Sequence, residues 1–402
     1  MVECLLDLPN ELLQHVLRFL PGRDIVSVAR TCRRFHGITQ IEAVWQHKCQ
    51  QDYGIRLAEQ RDSDFTYQRL YTRLLYQFGH CLGLWKLGTS SSLFGMVVHI
   101  KFDSGQITAY HCRAPFSGDV RDPLNVKTEL FRLVMSSGGG RVHCRKHTSA
   151  EIKVVSRDKI SYRCKECLDL QPKHLNPFRQ EEFMAFWREE METVELVNRH
   201  DVMARILSVA HSTAFWSSYP LERVSVATHN PLSPVRLGLY KGTYGPHGIE
   251  LINLTVASNG HTLLGNKLTG DPNVPAGQTS LFLYLKCPMV LGMREQESAD
   301  TLKAIIPEIQ SSVSAVQPAS CQPFILSDDF ELDAPTRDGL PIQLPNTCRA
   351  RYHAEGRIAG HGYHNPSMCK AHFIVFEEDM FGVIWLDLDS FSLFCRVKQD
   401  LL

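Results

Sequence analysis

From about residue 94 onward, apolar side chains in this 402-residue chain recur at every second position and are interrupted at short intervals by turn residues. That period fits a β-strand with one buried face, whereas a helix would scatter the same residues around its surface. "LFGMVVHIKFDSGQITAYHC" reads as a hairpin turning at Asp103-Ser104-Gly105, with Val98, Ile100, Ile107 and Ala109 in the flanking strands. "LERVSVA", "GIELINLTVASNGHTLLGNKL" with its Asn259-Gly260 turn, "SLFLYLKC", "HFIVFEED" and "GVIWLDLDSFSLFCRV" behave alike. Short strands in such a series close most simply into an antiparallel barrel.

Two stretches break the alternation. "RQEEFMAFWREEMETVELVNRHDVMARIL" predicts one long helix over about 179–210, with Phe183, Phe186, Trp187 and Leu196 to bury. Between about 293 and 344, Gln, Ser, Ala, Pro and Asp accumulate, which reads as an irregular insertion, partly helical at "ADTLKAIIPEIQSSV". The acidic "FEEDMFG" reads as a solvated hairpin turn.

The first 85 residues have the other period. Leu12, Leu13, Val16, Leu17 and Leu20 recur at helical spacing, with Leu8-Pro9 at the entry and Pro21-Gly22 at the stop. A second helix starts at an Asp24 N-cap and carries Ile25, Val28, Ala29 and Cys32; a third carries Ile41, Val44 and Trp45. Three helices in some forty residues have too little core to stand alone, so their apolar residues must pack on other protein. A linking helix follows, with Tyr67, Leu70, Tyr71, Leu74, Leu75 and Phe78 on one side. The opening stretch does not read as a secretory signal, because Asp7 and Glu11 interrupt it and no cleavage site follows. It is too short and too charged to span a bilayer.

Forty-three basic and 43 acidic side chains cancel, which removes any electrostatic case for nucleic acid or an anionic membrane as a partner. Thirteen cysteines, an odd number with no leader, point to a reducing compartment, cytoplasmic or nuclear, where cysteines are buried thiols or metal ligands. The chemistry of "HCRKHTSAEIKVVSRDKISYRCKEC" follows from this. Cys144 and His147 stand at knuckle spacing, and a hairpin turning at Arg157-Asp158 brings Cys164 and Cys167 back beside them. Two short-spaced pairs of soft donors suit a tetrahedral, structural zinc, with His143 and His174 as spare candidates for the fourth ligand. The bland alternative is a small apolar pocket filled by reduced cysteines.

"LYKGTYGPHGIE", "KLTGDPNVPAGQTS" and "RIAGHGYHNP" are glycine-rich and carry recurrent polar residues. No lysine-serine pair follows a phosphate-loop pattern and no helix begins there, so they read as loops at a barrel rim. Neither His247 nor His361 has a nearby Ser or Cys in a recognisable nucleophile setting, which argues against a hydrolase.

The order Leu8-Pro9, Leu12-Leu13, Val16, Leu17, Leu20, Asp24-Ile25, Val28, Ala29, Cys32-Arg33, Phe35, Ile38 and Trp45 resembles the F-box. "GLYKGTYGPHGIE", "LTGDPNVPAGQ", "AGHGY" and "FGVIWLDLDSFSLFCRV" extend the likeness along nearly the whole chain, which resembles the F-box only protein 31 family. The resemblance implies a non-catalytic substrate receptor of an SCF ubiquitin ligase. Its F-box would dock on the Skp adaptor, with cullin and RING subunits beyond, through Leu8, Pro9, Leu12, Leu13 and Val16, while Trp45 packs within the unit. Its barrel would hold C-terminal tails of substrates, D-type cyclins among them. The family also implies a zinc site in the corresponding place, although here the loop between Cys144 and Cys164 is shorter and Cys167 stands where a histidine would come a little later. From the polar residues of the rim segments, Lys241, Thr243, Tyr244, His247, Asn266, Lys267, Asp271, Asn273, Arg357 and His361 are the expected tail-binding residues. Asp271 has a second reading, as the cap of the Pro272 turn.

The expected fold class is therefore α+β: an F-box over 1–50, a helical linker over 51–85, and a mainly antiparallel β-barrel domain over 86–402 holding a zinc hairpin at about 141–175. The competing class is a lipocalin-like barrel for a small apolar ligand, with the helices as a cap.

Overall fold

The computed structural model describes residues 5–57, 65–88, 94–113, 119–121, 124, 126–144, 147–166, 218–225, 230–313, 321–332 and 342–397. The long helix expected over 179–210, together with Cys167 and His174, lies outside these residues.

The opening unit is helical: α1 (Asn10–Arg18), α2 (Gly22–Ala29), α3 (Arg33–Thr39) and α4 (Glu42–Tyr53). Cys32, whose thiol accepts from the Phe35 amide, ends the reach of α2 and caps α3. Leu13, Leu17, Ile25, Ile38, Val44 and Trp45 are buried in one cluster with the linking helix over residues 67–78. Trp45 donates its indole N–H to the Thr39 carbonyl at 2.7 Å and lies against Tyr71, 5.3 Å between ring centroids. Trp45 thus joins the helical unit to the linker, and the same cluster runs on into the first barrel.

The strands form two closed sheets where the sequence reading counted one. The first is an eight-stranded barrel of β1 (Gly83–Leu87), β2 (Val97–Asp103), β3 (Gln106–Arg113), β4 (Val126–Ser136), β5 (Gly139–Cys144), β6 (Ala150–Ser156), β7 (Lys159–Cys164) and β8 (Ser218–Arg223), closed by β8 on β1. Each strand follows its neighbour antiparallel, and the β2–β3 turn falls at Ser104-Gly105, both with positive φ. Its interior is filled: Phe131 stacks on Tyr162 at 4.6 Å and Tyr162 on Tyr219 at 4.9 Å.

The second barrel has the same up-and-down plan. It comprises β9 (Gly238–Thr243), β10 (Ile249–Val256), β11 (Thr262–Lys267), β12 (Thr279–Met289), β16 (Ala350–Gly360), β17 (His364–Glu377), β18 (Met380–Trp385) and β19 (Ser390–Arg396), closed by the pairing of Phe394 with Gly242. Tyr240, Ile252, Leu254, Leu263, Leu281, Phe373, Phe381, Val383 and Phe394 fill the inside. Alternating residues of the same strands, Leu239, Leu251, Ile374, Ile384 and Leu393, share a separate cluster with Leu84, Val97, Cys112 and Val224 of the first barrel. The period-two pattern is satisfied on both faces here, because part of the outer face is covered too. The repeated alternation did not reveal two barrels, since it carries no mark of where one closed sheet ends and the next begins.

The described parts of the insertion between β12 and β16 pack onto the second barrel. Leu302, in a helix of one turn (Ala299–Lys303), joins Phe324, Phe330 and Ile342 in the outer cluster. The short strand β13 (Gln322–Pro323) pairs with β15 (Thr347–Cys348), and β14 (Glu331–Leu332) adds in parallel to β19. Gln296 is wholly buried, with its amide bonded to the Leu291, Gly292 and Pro323 carbonyls and its oxygen accepting from Arg351 at 2.6 Å. A few widely spaced apolar anchors do this, and polar composition hides them. The acidic turn of "FEEDMFG" is a hairpin as expected, but its carboxylates are paired: Glu378 with Arg236 at 2.8 Å, and Asp379 with Arg236 at 3.2 Å and Arg396 at 3.8 Å.

Gly356 lies under Trp385 so closely that a Cβ would fall 1.9 Å from the indole ring. Adding that methyl forces Trp385 off its position in a packed core, at a cost of about 1–3 kcal/mol. Gly356→Ala should lower the free energy of unfolding by that amount in equilibrium denaturation, with unchanged secondary structure by circular dichroism.

Candidate functional site

One end of the second barrel is charged although it is buried. Inward-facing Glu250 on β10 and Lys267 on β11 meet at 2.7 Å, and Lys267 also contacts Asp271, four residues on, at 2.5 Å; all three are almost fully buried. The ammonium sits 4.4 Å over the ring of Tyr244, whose hydroxyl is 3.3 Å from Ser280 Oγ. Asp271 is held by the backbone it caps, accepting from the Asn273 and Val274 amides at 2.6 and 2.7 Å. The turn-cap reading of Asp271 is met: it closes the turn with Oδ1, while Oδ2 faces the lysine.

Three charges in a dry enclosure cannot be equal. Burial pushes Glu250 up to about 8, the nearby Asp271 adding to the push while Lys267 only partly offsets it. Burial acts on Asp271 in the same direction but is outweighed by Lys267, His247 and the backbone amides, which bring it down to about 2. For Lys267, burial is overcome by the two carboxylates, and its pKa rises. Lys267 and Asp271 are thus the firmer ion pair, and Glu250 is the most readily protonated of the three groups.

Around this cluster is a half-exposed rim. His247 Nε2 stands 4.0 Å from Asp271 Oδ1. The Gly362 and Tyr363 amides donate to the Pro272 carbonyl, and the Asn273 amide group donates to Ala359 O at 2.9 Å, so the loop after β11 is fastened to the β16–β17 turn. Arg357 donates to Gln278 at 3.2 Å and to the Tyr363 hydroxyl at 3.0 Å. From the other side, Gly270 donates to Phe94 O and Gly95 bridges to Thr269, which ties the same loop to the first barrel.

Of the ten rim residues expected from sequence, Tyr244, His247, Lys267, Asp271 and Asn273 come together here; Arg357, one residue out of phase with Gly356, lies over Phe282 and reaches the rim through Gln278 and Tyr363, and His361 is exposed at the tip of the adjoining turn. Lys241, Thr243 and Asn266 do not belong to the enclosure. Each is one residue out of phase with an inward neighbour, so each faces outward: Thr243 Oγ1 accepts from the Leu393 amide, and Asn266 bonds Thr255 and Thr279. Glu250 was missed, although its signal was present as the one acid inside the apolar run "IELINL". Gln278 was missed as well, and nothing local marks it.

On the helical unit, Leu12, Val16 and Phe19 are exposed at 50%, 42% and 71%, beside exposed Pro9 and half-buried Leu8. Leu13 is the correction: it is 1% exposed and belongs to the core with Leu17, because one residue along a helix turns the side chain by about 100°. Phe19 and Leu5 complete the outward apolar stripe, and the pattern alone did not single them out.

The zinc hairpin brings three donors together. Cys144, His147 and Cys164 offer ligand atoms within 4.8 Å of one another, a group that could hold a metal ion. His147 Nδ1 lies 3.2 Å from Cys144 Sγ and 3.6 Å from Cys164 Sγ. A tetrahedral zinc with ordinary bond lengths separates sulfur and nitrogen ligands by about 3.6 Å. The Cys144 sulfur accepts the His147 amide at 3.1 Å, as a metal knuckle does, and Glu166 stands 3.6 Å from His147 Nε2, where it can fix the ring. The donor set fits zinc. His143 faces Arg132 across β4 and β5 and is not among the three.

Comparison with known proteins gives these features a setting. Residues 5–51 match an F-box-like family model and residues 221–401 match the Cyclin D1 binding domain. The mouse F-box only protein 31 is 30% identical over 98% of this chain and 85% of its own length. The chain belongs to the F-box only protein 31 family. The human member is 28% identical over the same share of the chain, and human F-box only protein 24 matches over 17% of it, at 38% identity. The family match thus covers both the exposed helical stripe and the barrel with the charged end. No described helix is long and apolar enough to cross a membrane.

Glu250 takes up its proton on folding, so stability should fall as pH rises from 4.5 to about 8. Asp271 acts oppositely and only in acid, adding stability that is lost as pH falls from 3.8 to about 2. Glu250→Gln, which keeps the shape and cannot ionise, should flatten the first of these slopes and leave the second. Urea denaturation from pH 5 to 8.5 reads the difference.

Proposed function

We propose that this chain is the substrate receptor of an SCF ubiquitin ligase and that the polar end of its second barrel holds the C-terminal tail of a D-type cyclin or a similar substrate. The observation that carries the reading is the joining, in one chain, of an F-box with an outward apolar stripe to a Cyclin D1 binding domain whose barrel ends in a buried charged cluster beneath a polar rim. The lipocalin-like alternative is not favoured, since the interior is occupied: Phe381 stacks on Phe373 at 4.4 Å and on Phe394 at 4.7 Å.

The receptor itself forms and breaks no covalent bond. Leu8, Pro9, Leu12, Val16 and Phe19 seat the adaptor, through which the cullin and RING subunits assemble. The tail lies across His247, Gln278, Arg357 and Tyr363, its terminal polar group directed at the Lys267–Asp271 pair and the Glu250 carboxyl. Holding a substrate there raises the local concentration of its lysines at the ubiquitin-loaded conjugating enzyme, which is a proximity effect. A zinc held by Cys144, His147 and Cys164 would supply folding energy to the β5–β7 corner and no reactivity. The work is cytoplasmic and nuclear, where the ligase subunits are.

Charges placed on the outward stripe have no partner in an apolar interface. Leu12→Asp with Val16→Asp should abolish the one-to-one complex with the Skp adaptor in native mass spectrometry, a loss of at least about a hundredfold in affinity; an intact complex removes the F-box reading. Asp271→Asn leaves Lys267 with no ionised partner except Glu250, so the preferred tails on a C-terminal peptide array should change, and an unchanged profile removes the cluster from the binding site. The purified chain should carry one equivalent of zinc, falling below about half in Cys164→Ser, as read by plasma emission spectrometry.

A further inference from the structure

The first barrel is closed, but one seam is nearly unstitched. β5 pairs with β4 along its length, and β6 pairs with β7 from Ala150 to Ser156, yet β5 and β6 share a single pairing, Val142 with Ala150. Beyond it the linking helix takes the place of a strand beside β5, with Phe78 and the Arg73 carbonyl against Gly140. From Glu151 to Ser156, β6 thus has strand partners on one side only among the described residues. Every second residue of a strand directs its N–H and C=O to that open side.

Two further observations say what fits there. Along β6 the burial falls away, and Val154 and Val155, adjacent β-branched side chains where the register with β7 shifts, are 49% and 61% exposed. An edge that only needed guarding would carry charge at such positions. The surroundings are basic, in a chain whose charges cancel. Arg141, Lys153, Arg157, Arg163 and Lys165 take part in no ion pair among the described residues. Of the nearby acids, Asp158 is engaged with Arg223, Glu222 with Lys159 and Glu166 with His147, which leaves Glu151, opposite Arg163 on β7, against these five bases.

We propose that the open edge of β6 is a second docking site, which adds an extended acidic segment of a partner protein as a further strand. Backbone pairing supplies the affinity, Val154 and Val155 pack the partner's alternate side chains, and Lys153, Arg157 and Arg163 select acidic residues beside them. The site is separate from the polar end of the second barrel and does not depend on what binds there. A basic edge could also draw nucleic acid, but a half-open strand with two exposed valines suits a peptide backbone better than a phosphate chain.

The test uses the full chain bound to the Skp adaptor and a fluorescein-labelled eight-residue peptide of alternating valine and glutamate, read by anisotropy. The expected result is saturable binding that weakens at least tenfold for the same peptide N-methylated at alternate residues, and at least tenfold for Lys153→Glu with Arg157→Glu. Both substitutions are on exposed side chains, and retained zinc content confirms the fold. Equal binding of the N-methylated peptide would overturn strand addition, as would equal or tighter binding of an eight-nucleotide single-stranded DNA, which would leave a general polyanion patch. No binding at millimolar peptide would show an edge that is merely solvated.

Discussion

Lys267 is the constraint around which the second barrel is arranged. An ammonium with almost no exposure is tolerable only if its charge is answered, and Asp271 and Glu250 answer it at 2.5 and 2.7 Å. Because Asp271 also caps the turn that follows β11, the charge pair fixes the conformation of the loop, and that loop fastens both the β16–β17 turn and the start of the first barrel. A buried pair of this kind contributes little net stability against an apolar substitute. The pair lies beneath the polar rim, with the Tyr244 ring 4.4 Å from the ammonium.

The remainder of the architecture places that end relative to the helical unit. Trp45, Tyr71 and the first barrel's interior belong to one continuous apolar cluster, and a second cluster joins the first barrel to the second and to the insertion. A receptor that works by proximity needs this continuity, since slack between the adaptor stripe and the tail site would dilute the local concentration it creates.

The local elements were legible in the sequence, and the global count was not. The Asp103-Ser104-Gly105 turn, the hairpin at Arg157-Asp158 and the linking helix follow from residue types at fixed spacing, and they appear where expected. Phase was the harder matter. Lys241, Thr243 and Asn266 lie in the right segments but on the outer face, and Leu13 lies on the inner face of its helix, because a shift of one residue reverses a strand's side and turns a helix by about 100°. Closure of two barrels and the anchoring of the insertion through Gln296 and Arg351 depend on contacts between residues far apart in sequence, which no local pattern encodes.

Hydrogen–deuterium exchange of the adaptor-bound chain, with and without a peptide of the cyclin D1 C-terminal tail, tests the central claim most directly. The account predicts slowed exchange in residues 244–250, 268–274 and 357–363, with the first barrel unchanged. Protection confined to the first barrel, or none at saturating peptide, would contradict it.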